Sequence, residues 1–239
     1  MANELDLFDF DENDFDLYSG DDEEQSINDV LETPTFARVR RHKEPRCCKF
    51  ENAEKLVVAI GKVEDGEHIN CLVSGNFIAG DFIEAYLHKN KLIAEELIIS
   101  TLSLSSNNID SLKNVAEYML ADDHKFGLIV SDFFFSHERK KGVVDIIENL
   151  NKYNFALAVA GIHTKITLIK TTCGQHIVIG GSANLRSSLN IEQIAIDNCK
   201  TLYNFHRGWM AKILNDYQAT HKMLRREKLW QQIARRAEQ

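Results

Sequence analysis

The feature that most constrains this chain is a rhythm that starts near residue 50, where short apolar runs alternate with amphipathic stretches. LVVAI (56–60), LIIS (97–100) and FGLIV (126–130) read as buried strands, as do FALAVA (155–160), TKITLI (164–169), HIVIGG (176–181) and EQIAI (192–196). Between them, 80–90, 108–120 and 138–153 read as helices; in 108–120 the residues Ile109, Leu112, Val115, Ala116 and Met119 recur at helical spacing. A further helix is expected over 200–215, with Leu202, Phe205, Trp209 and Ile213 on one face, and a basic helix from about 217 to 237. The stretch 131–137, rich in Phe, is expected to be a core-lining loop. Strands interspersed with helices predict an α/β layered domain whose sheet is mixed and mostly buried.

Charge divides the chain more sharply than its net value of −8 suggests. Residues 1–32 hold 13 Asp and Glu and no Lys or Arg, which leaves 28 basic against 23 acidic residues in the remainder. An acidic arm interleaved with Leu5, Phe8, Phe10, Phe15 and Tyr18 precedes a basic stretch containing Arg38, Arg40, Arg41 and Arg46. Such an arm either stays solvated or docks on a basic surface, its own or a protein partner's. The expected organisation is therefore 1–45 as a flexible arm, 46–216 as the folded domain and 217–239 as a basic C-terminal helix. Five cysteines without paired CxxC spacing indicate reduced thiols rather than a disulfide framework or a zinc site. The sequence shows no signal-type apolar stretch and no run of membrane-span length, so a cytoplasmic protein is expected.

The chemistry concentrates in GIHTKITLIKTTCGQHIVIGGSANLRSSLNIEQ, residues 161–193. If 162–169 is a strand, His163 and Lys165 share one face while Ile162, Ile166 and Leu168 pack on the other. A second strand delivers Gly180 and Gly181, whose missing side chains allow a tight turn and close approach of backbone to a ligand. Ser182 and Asn184 follow with a hydroxyl and an amide, and Glu192 returns on a third strand. An imidazole can attack phosphorus and split one hard displacement into two easier ones. An ammonium and neutral donors can hold the non-bridging oxygens, and a carboxylate can fix the histidine's orientation. Nothing in this scheme calls for a metal or cofactor.

HTK, GGSAN and IEQ together resemble the HxK…GSxN…E signature of the phospholipase D superfamily, over roughly residues 50–215. The SANL…NIEQ wording and the LYNFHRGW stretch resemble its small single-motif bacterial and phage members. The resemblance implies a layered α/β/α domain with one half-site per chain. In that half-site His163 is the nucleophile or its acid partner, Lys165, Ser182 and Asn184 bind phosphate, and Glu192 orients the histidine. Where the family pattern has an aspartate five residues after the lysine, this chain has Lys170. The family needs two facing histidines and only one copy of the motif is present, so a two-fold homodimer sharing its site is expected.

These readings point to a metal-independent phosphodiesterase, a nuclease before a phospholipid-directed enzyme, since no amphipathic membrane anchor is visible. Arg38, Arg40, Arg41, Arg225 and Arg226 are candidate contacts to a nucleic-acid backbone, without a motif for sequence-specific reading. A module that keeps the fold for nucleic-acid binding, assembly or partner recruitment, without catalysis, is the alternative from another class.

Overall fold

The computed structural model describes residues 43–217 except 51, 74–76, 120–123, 138–145, 147, 154 and 187–189. Residues 1–42, with the acidic arm and Arg38, Arg40 and Arg41, and residues 218–239, with Arg225 and Arg226, lie outside the described residues, as do the expectations that concern them.

Eight strands form one sheet: β1 (Arg46–Phe50), β2 (His68–Val73), β3 (Ala94–Thr101), β4 (Lys125–Ser131), β5 (Phe155–Ala160), β6 (Ile166–Thr171), β7 (His176–Gly181) and β8 (Glu192–Asn198). Their order is β1-β2-β8-β7-β6-β3-β4-β5. β3, β4 and β5 are mutually parallel, as are β1 and β2, while β6, β7 and β8 form an antiparallel meander inserted between the two parallel blocks. Helices α1 (Ala53–Ile60), α2 (Ala79–Lys89), α3 (Ser106–Tyr118), α4 (Asp132–His137) and α5 (Lys200–Asp216) complete the described elements, together with a short 3-10 turn at Asn151–Tyr153.

Alternation along the strands builds two cores. On one face Leu97, Ile99, Phe126, Leu128, Val130, Leu157 and Val159 pack with Leu56 of α1, Phe82 and Tyr86 of α2, and Leu112 of α3. On the other, Ile98, Ile129, Leu168 and Val178 meet Tyr203, Met210, Ile213 and Leu214 of α5. FALAVA shows the division within six residues: Phe155, Leu157 and Val159 fill the first core, whereas Ala156, Ala158 and Ala160 let α5 lie close on the second. The α/β/α layering and the mixed, mostly buried sheet expected from the sequence are present.

Two expectations are corrected. LVVAI is helical, within α1, where burial recurs at helical spacing through Ala53, Leu56, Val57 and Ile60. Leu56, Val57 and Ile60 are buried while Val58 is 70% exposed, and the Asn52 side chain caps the helix by accepting from the Lys55 N–H at 3.0 Å. The stretch after β4 is also helical over Asp132–His137, its entry fixed by Ser131 Oγ, which accepts from the Phe134 N–H at 2.9 Å. Of the helix expected over 138–153, residues 146 and 148–150 are helical and Asn151–Tyr153 form a 3-10 turn, while 138–145 and 147 lie outside the described residues.

No helix among the described residues is long and apolar enough to cross a membrane.

Candidate functional site

The sequence-predicted residues gather at one end of the sheet, where β3, β4, β5 and β7 finish and β6 and β8 begin. Register shows this directly: Ile166 lies beside Ser100 and Gly180, and Gly181 beside Ile194, two residues into β8. Lys170 lies beside His176, at the far end.

His163 and Lys165 are not on a strand, contrary to the sequence expectation. β5 is an edge strand, and β6 lies three places inward, so residues 161–165 must cross the ends of β4 and β3, roughly 14 Å at ordinary strand spacing. So few residues span that gap only if extended, and β6 pairing starts at Ile166. The crossing is pinned where Thr164 Oγ1 meets Ser100 Oγ at 2.9 Å, at the end of β3. Ile162 and Ile166 pack against the α5 core, as the alternation implied, while Lys165 lines a cleft on the opposite side with Ala79, Phe82, Gly180, Gly181 and Leu185. The His163 ring is exposed and makes no hydrogen bond to a described residue; the Lys165 ammonium donates to the His163 carbonyl at 3.2 Å.

β7 and β8 present the remaining residues. Ser182 Oγ donates to Glu192 Oε2 and accepts from the Gln193 N–H at 2.9 Å, while the Ser182 N–H donates to the Gln193 carbonyl at 2.9 Å. Glu192 is thus held by Ser182 rather than by His163, and it shares its strand face with Ile194 and Ile196, at the strand's open end. Gly181 serves the protein's own backbone: a Cβ there would stand 2.0 Å from the Gln193 carbonyl oxygen. At Gly180 the nearest atom to such a Cβ is the Lys165 carbonyl oxygen, at 3.9 Å. Asn184 Oδ1 is buried and has no hydrogen-bond partner among the described residues. Swapping the amide's O and N would place a donor at that orphaned position, and buried polar atoms seldom go unpaired.

Sequence reading missed the scaffold around these groups. Thr101 Oγ1 accepts from the Leu185 N–H at 3.1 Å and donates to the Ser103 carbonyl at 2.9 Å, clamping the loop after Asn184 to the end of β3. Ser131 Oγ donates to the Leu102 carbonyl at 2.6 Å. Asp132 stands beside the crossing segment, its Oδ2 3.7 Å from where a Gly161 Cβ would be. Their only sequence signal was position at a strand's carboxyl end. α2 also begins at this end, with Ala79 in the cleft, so its positive pole adds to the Lys165 charge. Together these groups can hold an oxyanion against an exposed imidazole. Among the described residues, no three His, Cys, Asp or Glu side chains are grouped to hold a metal ion.

Lys170 is ion-paired with Glu95 at 2.9 Å on the exposed surface. Its neighbour Glu96 is buried, bonded by Tyr203 Oη and by Arg207 at 2.7 and 3.0 Å. Burial, then the Glu96 charge, pushes the Tyr203 phenol well above its ordinary range. This network ties α5 to β3 at the far end.

No protein-family model matches the chain, and no curated protein matches it. Among solved structures, a polyphosphate kinase from Porphyromonas gingivalis is similar at 13% identity and a TM-score of 0.43. The similarity covers 64% of this chain and 27% of that one, so this chain spans little more than a quarter of the kinase's length.

Proposed function

We propose that the chain is a metal-independent phosphodiesterase, a nuclease, working through a phosphohistidine in a homodimeric site. The observation that carries the reading is the convergence of His163, Lys165, Ser182, Asn184 and Glu192 at one end of the sheet, drawn from three separate segments. In the proposed reaction His163 attacks phosphorus, and a P–N bond forms as the P–O bond to the leaving alcohol breaks. The facing histidine of a second subunit protonates that alcohol, and water then cleaves the P–N bond. Lys165, Ser182 and Asn184 hold the non-bridging oxygens as charge builds there. Within this proposal 46–216 is the catalytic domain, and 1–45 and 217–239 are appendages.

The shared site is supported by exposed apolar side chains at the same end: Ile191 is 74% exposed and Phe133 53%. Cleavage of single- and double-stranded DNA and RNA in EDTA tests the function. Wild type should cleave, and His163→Ala should lose at least a thousandfold, of the order seen when a catalytic nucleophile is removed. Equal residual activity in the two proteins would sink the proposal.

A second reading, a phosphate-binding module without catalysis, is favoured by the bond from Ser182 to Glu192, which leaves the His163 ring with no orienting carboxylate among the described residues. Oligonucleotide binding without cleavage by either protein would select it.

A further inference from the structure

β4 and β5 end level with each other: Ser131 pairs with Ala160, so Asp132 and Gly161 are the first residues beyond the pairing. At Gly161 the chain turns off β5, the Ile162 N–H donating to the Ala160 carbonyl at 2.8 Å. By Thr164 it has reached β3, where that side chain meets Ser100 Oγ. Neighbouring strands lie about 4.8 Å apart, so His163, one residue short of β3, stands between the ends of β3 and β4. Side-chain directions agree with this placement. Ile162 and Ile166 pack on the α5 core while Lys165 lines the cleft opposite, so alternation turns His163 to the cleft side. Phe126, Leu128 and Val130 of β4 face that same side, and Phe134 follows them into the same core. Asp132 lies between Val130 and Phe134.

The Asp132 carboxylate is aimed at the crossing segment. Oδ1 accepts from the Phe133 N–H at 2.7 Å, and Oδ2 lies 3.7 Å from where a Gly161 Cβ would stand. Gly161 itself puts no side chain between Asp132 and His163. Glu192, which resemblance gives the orienting role, is engaged by Ser182. We propose that Asp132 is the positioning residue of the His163 ring: its Oδ2 accepts the Nδ1 proton, and Nε2 is left unprotonated and outward, toward phosphorus. Both side chains are exposed, so rotation about their own bonds brings them together without moving the backbone. Nδ1 is the nitrogen engaged because it is the one nearer the backbone, and Asp132 meets this chain at the backbone of Gly161. A hydrogen bond at one ring nitrogen sets the protonation of the other. The inference rests on the phosphodiester reading of the His163 site and adds to it the residue that readies the nucleophile.

Asp132→Asn separates this role from a structural one. The asparagine Oδ1 still accepts from the Phe133 N–H, so the melting temperature should stay within about 2 °C of wild type. Its amide nitrogen puts a donor where Oδ2 stood, which favours the proton on Nε2 and blocks attack. Oligonucleotide cleavage in EDTA should then show kcat lower by about a hundredfold or more, the lower range for a positioned proton acceptor, with KM unchanged or reduced. A readout independent of cleavage is the long-range proton–nitrogen NMR spectrum of the imidazoles at about pH 8.5, where an ordinary histidine is neutral. The His163 signal is identified by its loss in His163→Ala. Wild type should carry the proton on Nδ1, and Asp132→Asn should move it to Nε2. The proposal is overturned if wild type already carries it on Nε2, a result that needs no variant to fold. It is equally overturned if the two proteins share one tautomer, or if Asp132→Asn cleaves as fast as wild type. Absence of cleavage by wild type would sink the phosphodiester reading alone, while the tautomer still decides whether Asp132 holds the ring.

Discussion

A methyl group at Gly181 would overlap the Gln193 carbonyl oxygen, so β7 and β8 close at the site only because position 181 has no side chain. Gly181→Ala should cost about 3 kcal/mol or more, the upper range for forced overpacking, and lower the melting temperature by roughly 6–12 °C. Gly180→Ala, with open space, should stay within about 1 kcal/mol. Equal melting temperatures for the two variants would refute this account. A buried thiol gives a second prediction at this scale. Burial, followed by the neighbouring Cys48, pushes Cys71 up to about 12, while Cys47 and Cys173 are exposed. The folded state holds the Cys71 proton more tightly than the unfolded chain. Its contribution to stability is therefore whole below the ordinary thiol value near 9 and is lost as pH rises toward 12. At pH 8 iodoacetamide should alkylate Cys47 and Cys173 in the native protein and spare Cys71, as peptide mass spectrometry would show.

At the level of elements, α5 is held by more than its apolar stripe. Arg207→Ala would leave Glu96 buried without its cation, a loss of about 3–5 kcal/mol in measured cases. Thermal unfolding of that variant should shift down by roughly 10 °C, at 2–4 °C per kcal/mol for a domain of this size. A shift under 2 °C would mean that solvent reaches Glu96 and the network is weak. Nothing in the sequence announced this pair, since Glu96 and Arg207 are 111 residues apart and each looks like a surface charge. The strands from β3 to β8 were legible because their apolar runs are long and their faces differ, as FALAVA shows. β1 and β2 were not: RCCKF and HINCLV mix polar and apolar residues, and β1 is an edge strand. LVVAI misled because a short apolar run carries no period of its own; Val58, facing solvent, only becomes informative once Leu56 and Ile60 are known to be buried.

For the whole molecule, the proposed shared site requires that self-association and cleavage rise and fall together. Ile191→Glu places a charge in the exposed apolar rim of the site and should weaken dimerisation at least tenfold by sedimentation, with cleavage falling in step. Cleavage that persists in a proven monomer would contradict the shared site. The identities of the candidate residues were readable in the sequence, because HTK, GGSAN and IEQ are contiguous words. The geometry was not, because it depends on strand order. The long crossing from β5 to β6 puts His163 over the ends of β3 and β4, and the Ser182 hydroxyl takes Glu192 across the β7–β8 pair.

That strand order also bears on how the protein is made. The β6–β8 meander, which with the crossing segment before it carries the half-site residues His163, Lys165, Ser182, Asn184 and Glu192, is the piece that joins β2 to β3. During synthesis the β1–β2 and β3–β4–β5 blocks emerge first and have no strand to share, since domains assemble as their segments leave the ribosome. Sheet closure and site assembly are then one event. A chain that stops before β8 lacks the proposed site for the same reason that it lacks a finished sheet.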